Sequence, residues 1–235
     1  MVKEEKLVLV TGASGFLGRN ICESLLDHGY SVRALVRALP KSQKIDRPAL
    51  SYVTCNLLDA VCLDRAFKDV TVIVHLAGVS HVNNVTKEKL FENNVLGTRA
   101  VVQAASKHAV RRFIYMSSTL ASEIASHNAP TIYGETKQKA EELVLEAHDR
   151  GHFEAVVLRP ANVYGSGMRG NIASLITLIS RGLMPPLPLF DTQFSMVGVK
   201  DLSEAVILVS ESNEACGQTY IVTDGNHYNL NDIEA

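Results

Sequence analysis

Residues 8–18 read VLVTGASGFLG, an apolar run that breaks into glycines at Gly12, Gly15 and Gly18. The run KLVLV (6–10) has the composition of a strand buried on both faces. The apolar spacing over 16–28 suits a helix, with Gly29 as its C-terminal cap. The glycines therefore fall at the joint between a buried strand and a helix. A loop there presents backbone N–H groups to a pyrophosphate, and glycine allows the tight turn and the close approach. The spacing alone is weak evidence. Its strand–loop–helix setting gives it meaning.

The rhythm continues outward from this loop. Strands are expected at 31–36 (SVRALV), 51–57 (SYVTCNL), 70–78 (VTVIVHLAG), 111–118 (RRFIYMSS) and 154–160 (EAVVLRP), with helices at 86–108 and 134–150. This order predicts an α/β fold: a Rossmann-type, doubly wound parallel sheet. After Pro160 the pattern changes to a helix at 171–182 and a breaker-rich stretch, MPPLPLF, at 184–190. Asp201 and Glu204 read as a capping box for a helix at 202–210, and QTYIVTDG (218–225) as one more strand. The division expected is a dinucleotide domain over 1–165, with sheet elements also from 190–225, and a small substrate lobe over 166–235 interleaved with it. The last residues, NLNDIEA, read as the start of another helix, so the lobe is expected to be truncated.

Composition narrows the classes. The 235 residues carry a net charge of −2, with 46% hydrophobic and 6% aromatic residues and no tryptophan. That balance argues against a nucleic-acid surface. The tightest basic cluster, Arg111–Arg112, reads as a solvated approach to a strand. No stretch reaches transmembrane length, and the apolar run in residues 1–10 is too short for a signal peptide. Cys22, Cys55, Cys62 and Cys216 lack metal-ligand spacing, which predicts reduced thiols in a cytoplasmic protein and no metal site.

Two further readings concern chemistry. An NAD site places an acid near the end of the second strand, whereas this chain has VRALVR with Arg33 and Arg37. A guanidinium fork suits a 2′-phosphate, so NADP(H) is expected over NAD(H), with Arg37 as the main contact and NAD(H) as the other option. In YGETK (133–137), Tyr133 and Lys137 are four apart and share one face of a helix. A nearby ammonium lowers a phenol's pKa, so Tyr133 is expected to exchange a proton near neutral pH. Lys137 is also placed to bond a cofactor ribose. Ser117, Ser118 and Thr119 offer hydroxyls at the end of the fifth strand.

The motifs TGASGFLG, HLAG (75–78), NNVLGT (93–98), MSST (116–119), YGETK and LRPANVYG (158–165) occur together in this order. In this the chain resembles the extended short-chain dehydrogenases/reductases of the epimerase/dehydratase group, over nearly its whole length. The resemblance implies that Tyr133 is the catalytic acid/base, Lys137 its partner, and Ser118 the catalytic hydroxyl, with Thr119 as the fallback. It implies cofactor contacts from Gly12, Gly15, Phe16, Leu17, Gly18, Asn56, Leu57, Leu76, Ala77, Gly78, Tyr133, Lys137, Pro160 and Val163, and a structural role for Asn94. Asn56 stands where the family usually has an aspartate at adenine. The tail resembles a bacterial subgroup of UDP-sugar 4-epimerases and 4-keto-reductases, which implies substrate contacts from Ser118, Asn162, Arg169 and Asn171. Phe194 stands where an arginine commonly binds the substrate pyrophosphate. With Arg37, that departure favours a net reductase over an epimerase.

The reading that results is an NAD(P)-dependent oxidoreductase or epimerase acting at C4 of a UDP-sugar. The alternative is an NADPH-dependent reductase of a small carbonyl compound. A non-enzymatic cofactor-binding scaffold ranks last, because the Tyr/Lys pair is intact. The resemblance also implies a homodimer through helices 86–108 and 134–150. His75 reads as a packed, hydrogen-bonded histidine; His81 and His227 are given no role.

Overall fold

A computed structural model describes residues 6–39, 47–79, 85–122, 131–168, 178, 181 and 193–229. The expected helix at 171–182 (save 178 and 181), the stretch 184–190, the chain end beyond 229, and His81, Arg169 and Asn171 lie outside these residues. The strands are β1 (Leu7–Thr11), β2 (Ser31–Val36), β3 (Leu50–Thr54), β4 (Val72–His75), β5 (Arg112–Met116), β6 (Glu154–Pro160), β7 (Asn162–Tyr164), β8 (Met196–Gly198) and β9 (Thr219–Val222). The helices are α1 (Phe16–Asp27), α2 (Ala60–Ala66), α3 (Lys87–Phe91), α4 (Gly97–Lys107), α5 (Ile132–Asp149) and α6 (Val199–Glu211).

Seven strands form one sheet in the order β3-β2-β1-β4-β5-β6-β9, parallel throughout, while β7 and β8 make a separate parallel pair. Alternation along β1 sends Val8 and Val10 into a core with Ile21, Leu25, Leu202 and Val206 of α1 and α6. Leu9 faces the opposite core, with Leu63, Val101, Ala140 and Val144 of α2, α4 and α5. Helices thus cover both faces, which is why the strands read as unbroken apolar runs. The strand order reverses between β1 and β4, and open α/β sheets bind ligands outside the carboxyl ends at such a switch point.

Four local expectations need correction. The strand expected at 51–57 ends at Thr54, because the chain turns at Asn56–Asp59 into α2, a helix the sequence reading omitted. The Asp59 side chain caps it, accepting from the Cys62 N–H at 3.0 Å. The same turn brings the Cα atoms of Cys55 and Cys62 to 5.8 Å and the pair is disulfide-bonded, whereas Cys22 and Cys216 are free. Helix α6 starts at Val199 behind Gly198, so Asp201 sits in its first turn rather than at its cap. Finally, Arg111 is exposed but Arg112 is fully buried. Its guanidinium donates to Glu154 at 2.6 and 3.0 Å and to the carbonyls of Val209 and Ser212 near the end of α6. A buried cation is tolerated there because it is paired and its remaining donors are bonded.

Candidate active site

The carboxyl ends of five adjacent strands open into one cleft of about 940 Å³. The sheet order sets the order of its walls. Arg37 follows β2, and Asn56, Leu57 and Leu58 follow β3, at one end. The loop Gly12–Gly18 follows β1, and Leu76, Ala77, Gly78 and Val79 follow β4, in the middle. Met116 and Ser117 close β5 at the other end, where Tyr133, Lys137 and Val163 also line the cleft.

The glycine loop is a close-packed turn. Gly12 has φ +69°, and its N–H neighbour Gly15 donates back to the Gly12 carbonyl at 3.0 Å. A Cβ on Gly18 would lie 2.3 Å from the Gly12 oxygen and 2.6 Å from Ala13 Cα, so the first turn of α1 seats directly on the loop. Gly15 serves as the helix cap without any side-chain bond. The first N–H groups of α1 therefore meet the cleft without a capping side chain, which is the environment an anionic phosphate favours.

Beneath the cleft runs a buried polar chain. Register pairs Thr11 of β1 with His75 of β4, and Thr11 Oγ1 lies 2.6 Å from His75 Nδ1. Thr11 Oγ1 already accepts from the Leu76 and Ala77 N–H groups at 3.2 and 3.1 Å, so its own proton goes to Nδ1. His75 then carries its proton on Nε2 and donates to Thr98 Oγ1 at 3.0 Å, while Thr98 donates to the Asn94 carbonyl at 2.6 Å. Burial holds the His75 imidazole neutral, with its pKa pushed down to about 3.

Asn94 carries the chain on. The helix expected to run unbroken over 86–108 contains a π turn at Glu92–Leu96, which buries Asn94. Its amide brackets Val79, accepting from the N–H at 2.7 Å and donating to the carbonyl at 3.1 Å. It also donates to Thr136 Oγ1 at 3.0 Å, and Thr136 donates to the Tyr133 carbonyl at 2.8 Å. The floor of the cleft is thereby tied to the helix that carries Tyr133 and Lys137.

Tyr133 and Lys137 lie in the first turns of α5, which Thr131 caps by accepting from the Gly134 N–H at 3.0 Å. The Lys137 ammonium donates to the Met116 carbonyl at 2.6 Å and sits 4.6 Å over the Tyr115 ring. Burial lowers the Lys137 pKa to about 8, opposed by the charge of Glu141. Tyr133 departs from expectation: burial pushes its phenol up to about 12, and no lowering by Lys137 offsets it. The ammonium is directed at the strand carbonyl instead.

The other expected site residues separate. Gly12, Gly15, Phe16, Leu17, Gly18, Arg37, Asn56, Leu57, Leu76, Ala77, Gly78, Tyr133, Lys137 and Val163 all line the cleft. Arg33 has a different use, donating to the Ala66 and Lys68 carbonyls at 2.8 and 2.6 Å. Ser118 caps a short 3₁₀ turn, its Oγ accepting from the Leu120 N–H at 3.3 Å, and Ser117 takes the lining position beside it. Ser117 Oγ is buried without a partner. Pro160 is buried at the end of β6 and does not line the cleft, and the exposed Asn162 spends its amide on the Ser195 carbonyl at 3.2 Å. Lys89 of α3 and Glu92 and Asn93 of the π turn also line the cleft; the π turn has no sequence signature of its own here. Among the described residues no cluster of three metal-ligating side chains occurs, and no helix is long and apolar enough to cross a membrane.

A switch-point cleft, a glycine loop seated on a helix and a Tyr–Lys pair at the far wall define a dinucleotide-dependent enzyme of the Rossmann class. Residues 8–230 match the NAD dependent epimerase/dehydratase family, and the chain belongs to it. It is 31% identical to a UDP-glucose 4-epimerase of Vibrio cholerae over 95% of its own length and 72% of that protein's. It is 30% identical to the 4-hydroxy-2-methyl-3-oxo-4-farnesyl-3,4-dihydroquinoline-1-oxide ketoreductase of Stigmatella aurantiaca, over 92% and 67% of the two chains. Among solved structures, MoeE5 in complex with UDP-glucuronic acid and NAD superposes with a TM-score of 0.80 at 27% identity, covering 96% of this chain and 79% of that one. The chain is an NAD(P)-dependent enzyme of the short-chain dehydrogenase/reductase kind.

Proposed function

We propose that the protein transfers hydride at C4 of a UDP-linked sugar, as a 4-keto-sugar reductase or a 4-epimerase. The observation that carries this reading is Tyr133 and Lys137 lining one end of the cleft whose middle is the glycine loop. The cleft fits a dinucleotide: its walls run from Arg37 and Asn56 past Gly12–Gly18 to Val163, and the bare helix start suits the pyrophosphate. Pro160 backs the nicotinamide end. A bound nicotinamide supplies or accepts the hydride.

The chain's own groups do the rest. Tyr133 gives or takes the proton on the sugar oxygen, and Ser118 donates a hydrogen bond to that oxygen while its own oxygen accepts from Leu120. Lys137 bonds the ribose and, when its ammonium turns from Met116, brings the Tyr133 phenol down from about 12 toward neutrality. Asn162, Arg169 and Asn171 contact the sugar nucleotide. In this reading residues 1–165 hold the cofactor, with sheet elements also from 190–225, and 166–235 contribute a substrate lobe. The protein works in the cytoplasm as a homodimer.

Calorimetric titration of UDP into protein preloaded with NADP⁺ tests the substrate class. Saturable binding is expected. A protein that binds NADP⁺ but is indifferent to UDP would move the assignment to a small-carbonyl reductase, the reading that Phe194 and the ketoreductase relative favour.

Cofactor choice rests on Arg37, which is exposed at the cleft beside Asn56, while Arg33 is occupied. NADPH is expected to bind more tightly than NADH. Arg37→Ala should reduce that preference by about tenfold or more, since a hydrogen bond to a charged group contributes ~1.5–3 kcal/mol. Equal affinities in the parent protein, unmoved by the substitution, would refute the preference.

A further inference from the structure

The wall after β3 holds a feature that hydride transfer does not use. Cys55 and Cys62 bracket the turn whose residues Asn56, Leu57 and Leu58 line the cleft. Their Cα separation of 5.8 Å lies in the range a disulfide spans, and the bond is present. In the bonded form Cys55 Sγ lies 3.4 Å from the Asn56 carbonyl oxygen and Cys62 Sγ 3.5 Å from the Thr54 carbonyl oxygen, so an acceptor stands near each sulfur for the proton it gains on reduction. Cys55 is 4% exposed, but Cys62 is only half-buried and open to a small oxidant. Cys22, by contrast, is buried in α1 and has no partner.

We infer that Cys55 and Cys62 form a reversible redox clip that sets how tightly the cleft holds the adenosine half of its dinucleotide. The inference rests on the cleft being a dinucleotide site. With a hydroperoxide as oxidant, the Cys62 sulfur attacks the peroxide oxygen, giving a sulfenic acid and releasing water or an alcohol. The Cys55 sulfur then displaces water from that sulfur, forming the S–S bond. Two thiol hydrogens are lost and one peroxide is reduced. A dithiol returns the pair to the reduced state and is itself oxidised to a disulfide.

The clip acts through the freedom of the turn. With the bond closed, Asn56–Leu58 are held in place before the ligand arrives, so less ordering is left to binding. The closed form is therefore expected to bind NADPH about three- to tenfold more tightly, a typical scale for pre-ordering one short loop. Reciprocally, saturating NADPH should make the disulfide harder to reduce by the same factor.

The test compares peroxide-treated and dithiothreitol-treated wild-type chain. Intact mass and peptide mapping report the bond, and the fluorescence of bound NADPH reports affinity. The expected result is a treated chain lighter by two hydrogens, a linked Cys55–Cys62 peptide and the tighter dissociation constant. Cys62→Ser should hold the reduced-form affinity under both conditions. Absence of the linked peptide, equal affinities in the two states, or a peroxide response that survives in Cys62→Ser would each overturn the clip. Failure to bind any dinucleotide in either state would overturn the functional reading and, with it, the clip's effect.

Discussion

Replacing Tyr133 by phenylalanine is expected to lower turnover by about two to four orders of magnitude, the usual contribution of a positioned acid or base. The ring still fills its half-buried place at the start of α5, and Thr131 still caps the helix, so folding should be unaffected. NADPH affinity should change little, because only the proton-bearing oxygen is removed. Turnover of a keto-sugar or carbonyl substrate, measured beside NADPH binding, checks both halves. A variant that stays nearly active would remove Tyr133 from the mechanism.

Gly18→Ala is expected to do the reverse. Its new methyl would sit 2.3 Å from the Gly12 oxygen and 2.8 Å from the Ala13 carbonyl carbon, all backbone that no rotamer can clear. Relief requires α1 to lift from the loop, and forced overpacking of this kind costs ~1–3 kcal/mol. The displaced N–H groups are those offered to the pyrophosphate, so dinucleotide affinity should fall by about tenfold to a hundredfold. A melting temperature a few degrees lower should accompany it. Titration with NADPH and a thermal melt read the two effects. Full affinity in a stably folded Gly18→Ala would mean that the phosphates do not sit at this loop. The two substitutions control each other, since one is expected to spare binding and lose chemistry and the other to lose binding first.

The sheet was legible because parallel strands covered on both faces are continuous apolar runs, and each expected strand from β1 to β6 appears with ends moved by a few residues. The glycine loop and the Tyr–Lys helix were legible because both are local: their spacing and their element coincide. What escaped depends on the fold. Helix α2 is short and follows its strand with no breaker beyond Asn56–Asp59. The π turn leaves no periodic mark, yet it carries Asn94 and the residues that line the cleft nearby. Arg112 looked like a surface charge because the groups that neutralise it lie 42 and about a hundred residues away in sequence. The upward shift of the Tyr133 phenol in this structure escaped for a related reason. A four-residue spacing brings two side chains to one face but does not say which acceptor the ammonium selects.

The line of bonds from Leu76 and Ala77 through Thr11, His75 and Thr98 to Asn94 has a grammar: every donor points the same way, and each hydroxyl is both object and subject. Such a line has no neutral point at which it can be reversed. An imidazolium at position 75 would carry donors at both ends, and the Thr11 hydroxyl, already answering two N–H groups, would have to turn away from it. The disagreement would surface at Leu76 and Ala77, beneath the ligand, although the protonated ring is sealed from it. The cleft thus inherits an acid sensitivity from a residue it never touches: the unfolded chain takes up a proton at His75 that the fold refuses down to a pKa of about 3, so stability falls as pH drops below the ordinary histidine range.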